Sequence, residues 1–153
     1  MEKIVKDGLQ SLEVWNKSRE FALYVYKFIL PCFPIEEKYN LTTQIRRAAA
    51  SIPANIAEGY GRFYYQSNIQ FCYIARGSLE EVKSHLILAH DIGYINDPLI
   101  HEAMEKVSRL IQLINGYIAY LRRAKHGDND SAFSKSIKEE EVPYNTLMDI
   151  DDQ

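Results

Sequence analysis

Two stretches of this chain repeat apolar residues at steps of three and four without a break. One reads Cys72, Ala75, Leu79, Val82, Leu86, Ala89 and Gly93. The other reads Ile100, Ala103, Val107, Leu110, Ile114, Tyr117 and Leu121. A strand alternates every second residue and cannot sustain this pattern, whereas a helix places all such positions on one face. The mean period of 3.5 suits left-handed packing of neighbouring helices. Two weaker stripes precede them: Trp15, Ser18, Ala22, Val25 and Ile29, then Leu41, Ile45, Ala48, Ile52, Ile56 and Gly59. Helices are expected from about Leu12 to Cys32, from Glu36 or Asn40 to Gly59, from Ser67 to Ile92 and from Pro98 to Arg123. Pro31 and Pro34 bracket the first end, Asp97 before Pro98 is the expected N-cap of the last helix, and Gly93 falls where a left-handed residue closes the third.

With 153 residues, one domain is the expectation, and 46% hydrophobic residues suffice for a core without staples. Seven Gly and five Pro argue against many short strands joined by turns. The connectors are short, which makes consecutive helices antiparallel. The expected fold is all-α: an antiparallel up-down-up-down four-helix bundle over residues 1–124, with a disordered acidic C-terminal tail over residues 125–153. The tail carries eight acids and three lysines, a sum of −5, against −3 for the whole chain. The body is therefore mildly basic. The segment Tyr144 to Asp151 mixes acids with apolar residues; it reads as a solvated terminus, a partner-docking peptide or an acidic mimic competing for a basic surface.

More apolar residues exist than one stripe per helix needs. Leu23, Phe28, Phe71, Ile74, Ile87, Ile111 and Ile118 are left over, and Ala50, Pro53, Ala54 and Ala57 form a small-residue face on the second helix. Together they suggest self-association. Pro53 removes an N–H inside that helix, so a kink, or a break recapped by Ser51, is expected. Asn55 near the stripe is expected to be buried and to fix register.

The run Leu41-Thr42-Thr43-Gln44-Ile45-Arg46-Arg47-Ala48-Ala49-Ala50-Ser51-Ile52-Pro53-Ala54-Asn55-Ile56-Ala57-Glu58-Gly59 is distinctive. With Leu12 to Trp15, Ile74 to Glu81, Leu88-Ala89 and Gly93 to Ile95, it resembles the four-helix-bundle family encoded in intervening sequences of bacterial 23S ribosomal RNA genes. The resemblance spans roughly Leu12 to Arg123. It implies a four-helix bundle assembled as a ring-like homopentamer. It also implies a distant link to the accessory protein of diversity-generating retroelements, a basic barrel that binds nucleic acid and a reverse transcriptase. This chain departs from the family pattern after Gly61-Arg62: the connector is commonly polar and basic, but here reads Phe63-Tyr64-Tyr65-Gln66, and Gln70 and Tyr73 stand where basic residues are frequent.

A nucleic-acid site needs cations that meet phosphates and aromatics that stack on bases. The candidates are Arg46, Arg47, Arg62, Arg76, Arg122 and Arg123. Arg46 and Arg76 also suit ion pairs within or between subunits, and Arg76 can reach Glu80 one turn on. The aromatic connector Phe63, Tyr64 and Tyr65 is the candidate partner-binding segment. A non-enzymatic, oligomeric protein that binds structured RNA or a nucleoprotein partner is the expectation. The alternative is a protein-interaction scaffold that uses the connector and the tail. No metal or cofactor is expected: His85 and His90 are five apart, and neither Cys32 nor Cys72 belongs to a CxxC motif. No catalytic residue is assigned, since no nucleophile motif or phosphate loop is present. Two lone Cys suggest reduced core residues, and no apolar run approaches the roughly 18 residues of a membrane span. A cytoplasmic location is the expectation.

Overall fold

The computed structural model describes residues 8–62 and 64–125. Four helices organise them: α1 (Glu13–Tyr24), α2 (Leu41–Tyr60), α3 (Tyr65–Ile92) and α4 (Asp97–Lys125). No strand occurs among the described residues. Each helix runs antiparallel to the next, and α1 closes the ring against α4. The expected up-down-up-down bundle is the fold. Among the described residues no helix is long and apolar enough to cross a membrane. The expected acidic tail lies outside the described residues, apart from its first residue, Lys125.

The stripes of α2, α3 and α4 form the core as read, whereas on α1 the buried face includes Val14, Phe21 and Tyr24 and leaves Trp15 and Ala22, expected in the stripe, half-buried. Cys72, Ala75, Leu79, Val82, Leu86 and Ala89 are buried, as are Ile100, Ala103, Val107, Leu110, Ile114, Tyr117 and Leu121. They meet Ile45, Ile52 and Ile56 from α2 and Val14, Phe21 and Val25 from the first helical stretch. Burial of such side chains stabilises a fold by about 1.5–3 kcal/mol each before chain entropy is counted.

The first helical stretch departs from uniform winding. It changes at Val25–Ile29 into a π turn and then tightens into a 3₁₀ turn over Leu30–Cys32. A separate 3₁₀ turn at Ile35–Glu37 precedes α2. The Glu37 carboxylate accepts from the Leu41 N–H at 3.2 Å, which fixes the start of α2 and puts a negative charge at its positive end. The same carboxylate accepts from the Tyr94 hydroxyl at 3.0 Å, tying the α1–α2 and α3–α4 turns together. That hydrogen bond raises the Tyr94 pKa.

Several local expectations need correction. Of the two outcomes expected at Pro53, the break does not occur: α2 runs on through it, and Ser51 donates back to the Ala48 carbonyl at 2.8 Å rather than capping a new turn. Asn55 is only half-buried and donates locally to the Ser51 carbonyl at 2.8 Å. The buried asparagines are Asn68 and Asn115. The N-cap of α4 is Asn96, whose Oδ1 accepts from the Leu99 N–H at 3.0 Å. Asp97 instead meets His90 Nε2 at 2.6 Å, and that contact lowers its carboxyl pKa. The contribution of the contact is present above the ordinary carboxylate pKa and is lost as pH falls through the lowered one. Gly93 is left-handed, as expected, with φ 98°. Of the two cysteines, Cys72 is buried but Cys32 is exposed. Ile111 and Ile118 belong to the core, whereas Leu23, Phe28, Ile74 and Ile87 face outward.

Candidate nucleic-acid interface

Antiparallel packing brings the α2–α3 connector and the end of α4 to one end of the bundle. Helices α2 and α3 approach closely there because Gly59 has no side chain: a Cβ would lie 2.7 Å from Asn68 Oδ1 and 2.9 Å from Phe71 Cβ. Asn68 is held from the other side, since its amide donates to the Tyr117 hydroxyl at 3.1 Å. Tyr117 stacks on Tyr120, with ring centroids 6.3 Å apart and planes inclined by 11°. Burial, with Tyr65 nearby, raises the Tyr120 pKa. This polar and aromatic layer closes the core below the connector.

Cations surround that layer. Arg62 pairs with Glu58 at 2.7 Å, one turn back, and its guanidinium carbon lies 5.1 Å from the centre of the Phe71 ring. Lys125 donates to Gln66 Oε1 at 2.6 Å, joining the end of α4 to the start of α3. Arg122 donates to the Tyr73 hydroxyl. Its guanidinium carbon is 5.6 Å from that ring's centre. A group bonded to the phenolic oxygen sits at the ring edge, so the hydrogen bond and not the π face holds it. Arg123 is exposed on the last turn. These last-turn cations also complement the α4 dipole.

Arg76 has a structural partner. It donates to Asn115 Oδ1 at 2.9 Å across the α3–α4 seam, and its guanidinium carbon lies 5.0 Å from the Tyr73 ring centre. It does not pair with Glu80, which instead meets Lys83 at 3.8 Å. Arg46 and Arg47 lie on α2 toward the opposite end, both exposed. Arg46 sits 5.9 Å from the Tyr26 ring centre. The candidate cations are therefore split: Arg62, Arg122 and Arg123 gather at the connector end, Arg76 lies below them, and Arg46 and Arg47 stand apart.

Of the aromatic connector, Phe63 lies outside the described residues. Tyr64 is 70% exposed and Tyr65 is half-buried. Sequence reasoning missed Lys125 as a member of the cation group, and Tyr73 and Asn115 as the anchors of Arg122 and Arg76. The only available signal was that Asn115 adjoins the α4 stripe. Among the described residues no group of His, Cys, Asp and Glu is placed to hold a metal ion.

Comparison with known proteins finds a family and solved structures. The family model described as 23S rRNA-intervening sequence protein matches residues 10–116. Among solved structures, a protein of unknown function from the S23 ribosomal protein family of Bacteroides thetaiotaomicron superposes with a TM-score of 0.61 at 26% identity. That match covers 69% of this chain and 97% of the other. No curated protein matches this chain.

Proposed function

Because the chain belongs to the family of 23S rRNA-intervening sequence proteins, we propose that it binds structured RNA, without catalysis, through the cations of its connector end. The observation that carries this reading is the convergence of Arg62, from the α2–α3 connector, with Arg122, Arg123 and Lys125, from the end of α4, onto one end of the bundle. Exposed guanidinium and ammonium groups offer phosphates charge-assisted hydrogen bonds. The exposed Tyr64 ring adds a stacking surface for an unpaired base.

We further propose that the chain works as a homo-oligomer. Ile74, Ile87 and Leu88 on α3, with Leu23 and Phe28 on the first helical stretch, are exposed. Outward apolar side chains of this number favour burial against another copy. The homopentamer implied by the sequence resemblance is the expected state, and a ring would gather several connector ends into one stronger field. Light scattering on the full chain should return the mass of five copies; a monomer at micromolar concentration would remove the assembly from the proposal.

Salt dependence tests the binding mode. Four phosphate contacts predict a slope of about −3 to −4 in log affinity against log salt, so affinity for a structured RNA should rise about 100-fold from 200 to 50 mM salt. The Arg123→Gln/Lys125→Gln variant should reduce the slope by about two. Affinity that is flat across salt, or a slope the variant leaves unchanged, would sink the phosphate reading. The alternative is a protein-interaction scaffold, for which the exposure of Tyr64 is the favouring observation. In that case Tyr64→Ser would remove partner capture and leave RNA affinity untouched.

A further inference from the structure

Helices α1 and α4 touch less extensively than any other adjoining pair in the bundle. A cleft of about 310 Å³ opens along their seam. Its apolar wall is made by Phe21 and Tyr24 of α1 and by Leu110 and Leu113 of α4. Lys106 and Arg109 stand on the α4 side. Neither forms an ion pair among the described residues: Lys106 lies 4.9 Å from the Tyr24 ring centre, and Arg109 is exposed. On the α1 side Glu13, Lys17 and Glu20 line the cleft, with Glu20 paired to Lys17 at 3.2 Å, and Glu102 of α4 acts on Tyr24 from nearby. The α4 rim therefore offers two cations beside an apolar wall. That combination fits a short peptide in which apolar residues alternate with acids.

We propose that this cleft is the docking site of the chain's own segment Tyr144 to Asp151, with Leu147, Met148 and Ile150 against the apolar wall and Asp149 and Asp151 facing Lys106 and Arg109. Charge complementarity supports this occupant: residues 126–153 carry eight acids and two lysines, and the apolar residues of this segment lie among three of those acids. Length supports it too. Arg109 lies 16 residues before Lys125 on α4, about 24 Å at 1.5 Å per residue. Tyr144 lies 19 residues beyond Lys125, a stretch that spans up to about 60 Å when extended. The segment thus reaches the cleft with slack. The cleft is distinct from the cations of the connector end, so docking neither requires nor presumes RNA.

Amide hydrogen exchange on the full chain without RNA tests the docking. Amides of residues 144–151 should exchange about tenfold or more slowly than in the Leu147→Ser/Ile150→Ser variant. Lys106→Glu/Arg109→Glu should remove that protection while the α3 amides stay protected, which shows that the bundle is intact. Adding Asp149→Lys/Asp151→Lys to the same chain should restore it. Unprotected amides in the natural chain would overturn the proposal, as would protection that survives the charge reversal. Protection that grows with protein concentration would assign the cleft to a second copy instead. None of these outcomes depends on RNA binding, and the salt experiment does not depend on them.

Discussion

Gly59→Ala should destabilise the bundle by about 2 kcal/mol, even though alanine favours a helix over glycine by about 1 kcal/mol. The new Cβ would lie 2.7 Å from Asn68 Oδ1, 2.9 Å from Phe71 Cβ and 3.0 Å from the Asn68 carbonyl. Two of those atoms belong to the rigid frame of α3. The third belongs to a side chain already committed to Tyr117. The clash therefore cannot be relieved by a rotamer change, and α2 and α3 must move apart. A chain of this size should lose about 6 °C in melting temperature. Gly59→Val adds bulk at the same place and should lose more than about 3 kcal/mol. Thermal and denaturant unfolding check both values. A rise in stability for Gly59→Ala, as helix propensity alone predicts, would mean that the helices are not this close.

The second large effect concerns Arg76 and Asn115. Asn115 is fully buried, its Oδ1 accepts from Arg76, and its Nδ2 has no partner among the described residues. Arg76→Met removes the amide's one described hydrogen bond and should cost about 2–3 kcal/mol. Asn115→Leu removes the buried amide itself and leaves a half-exposed guanidinium that water can solvate. It should change stability by less than about 1 kcal/mol. The double variant should then recover most of the loss caused by Arg76→Met, so the cycle would show strong coupling. Denaturant midpoints of the four chains decide the point. If Arg76 served RNA alone, Arg76→Met would leave the midpoint in place and lower only the salt slope of RNA binding.

These two sites show where sequence reading succeeds and where it stops. The stripes from Cys72 to Ala89 and from Ile100 to Leu121 were legible because a strict three-four step on a long helix leaves one solution for the buried face. Gly93 was legible for a similar reason: a helix end that needs a positive φ selects glycine. The i, i+4 spacing was read only for Arg76 and Glu80, which do not pair; the pair that forms at that spacing is Arg62 with Glu58. The partners of Arg76 and Arg122 were not legible. They lie 39 and 49 positions away, and the vertical offset of α3 against α4, which no local pattern encodes, decides which side chains meet. Asn55 attracted the register argument because it adjoins a stripe, yet its amide finds a carbonyl on its own helix and needs no burial. Asn96 and Asp97 are both good caps, and the choice between them is made by His90, a residue on the preceding helix.

The π turn at Val25–Ile29 bears on how this fold tolerates changes of length. A π turn closes its hydrogen bonds from i to i+5, so it holds one residue more than the α-helical turn it replaces. Elsewhere in α1 a single-residue deletion would rotate everything beyond it by about 100°, turning buried positions outward. Within Val25–Ile29 the surplus residue can be removed and the turn rewound as α-helix, with Val25 and Ile29 both kept against the core. Deletion of Lys27 should therefore leave a folded chain, whereas deletion of Lys17 should not. Lineages of this fold that differ by one residue in the first helix are expected to carry the difference here.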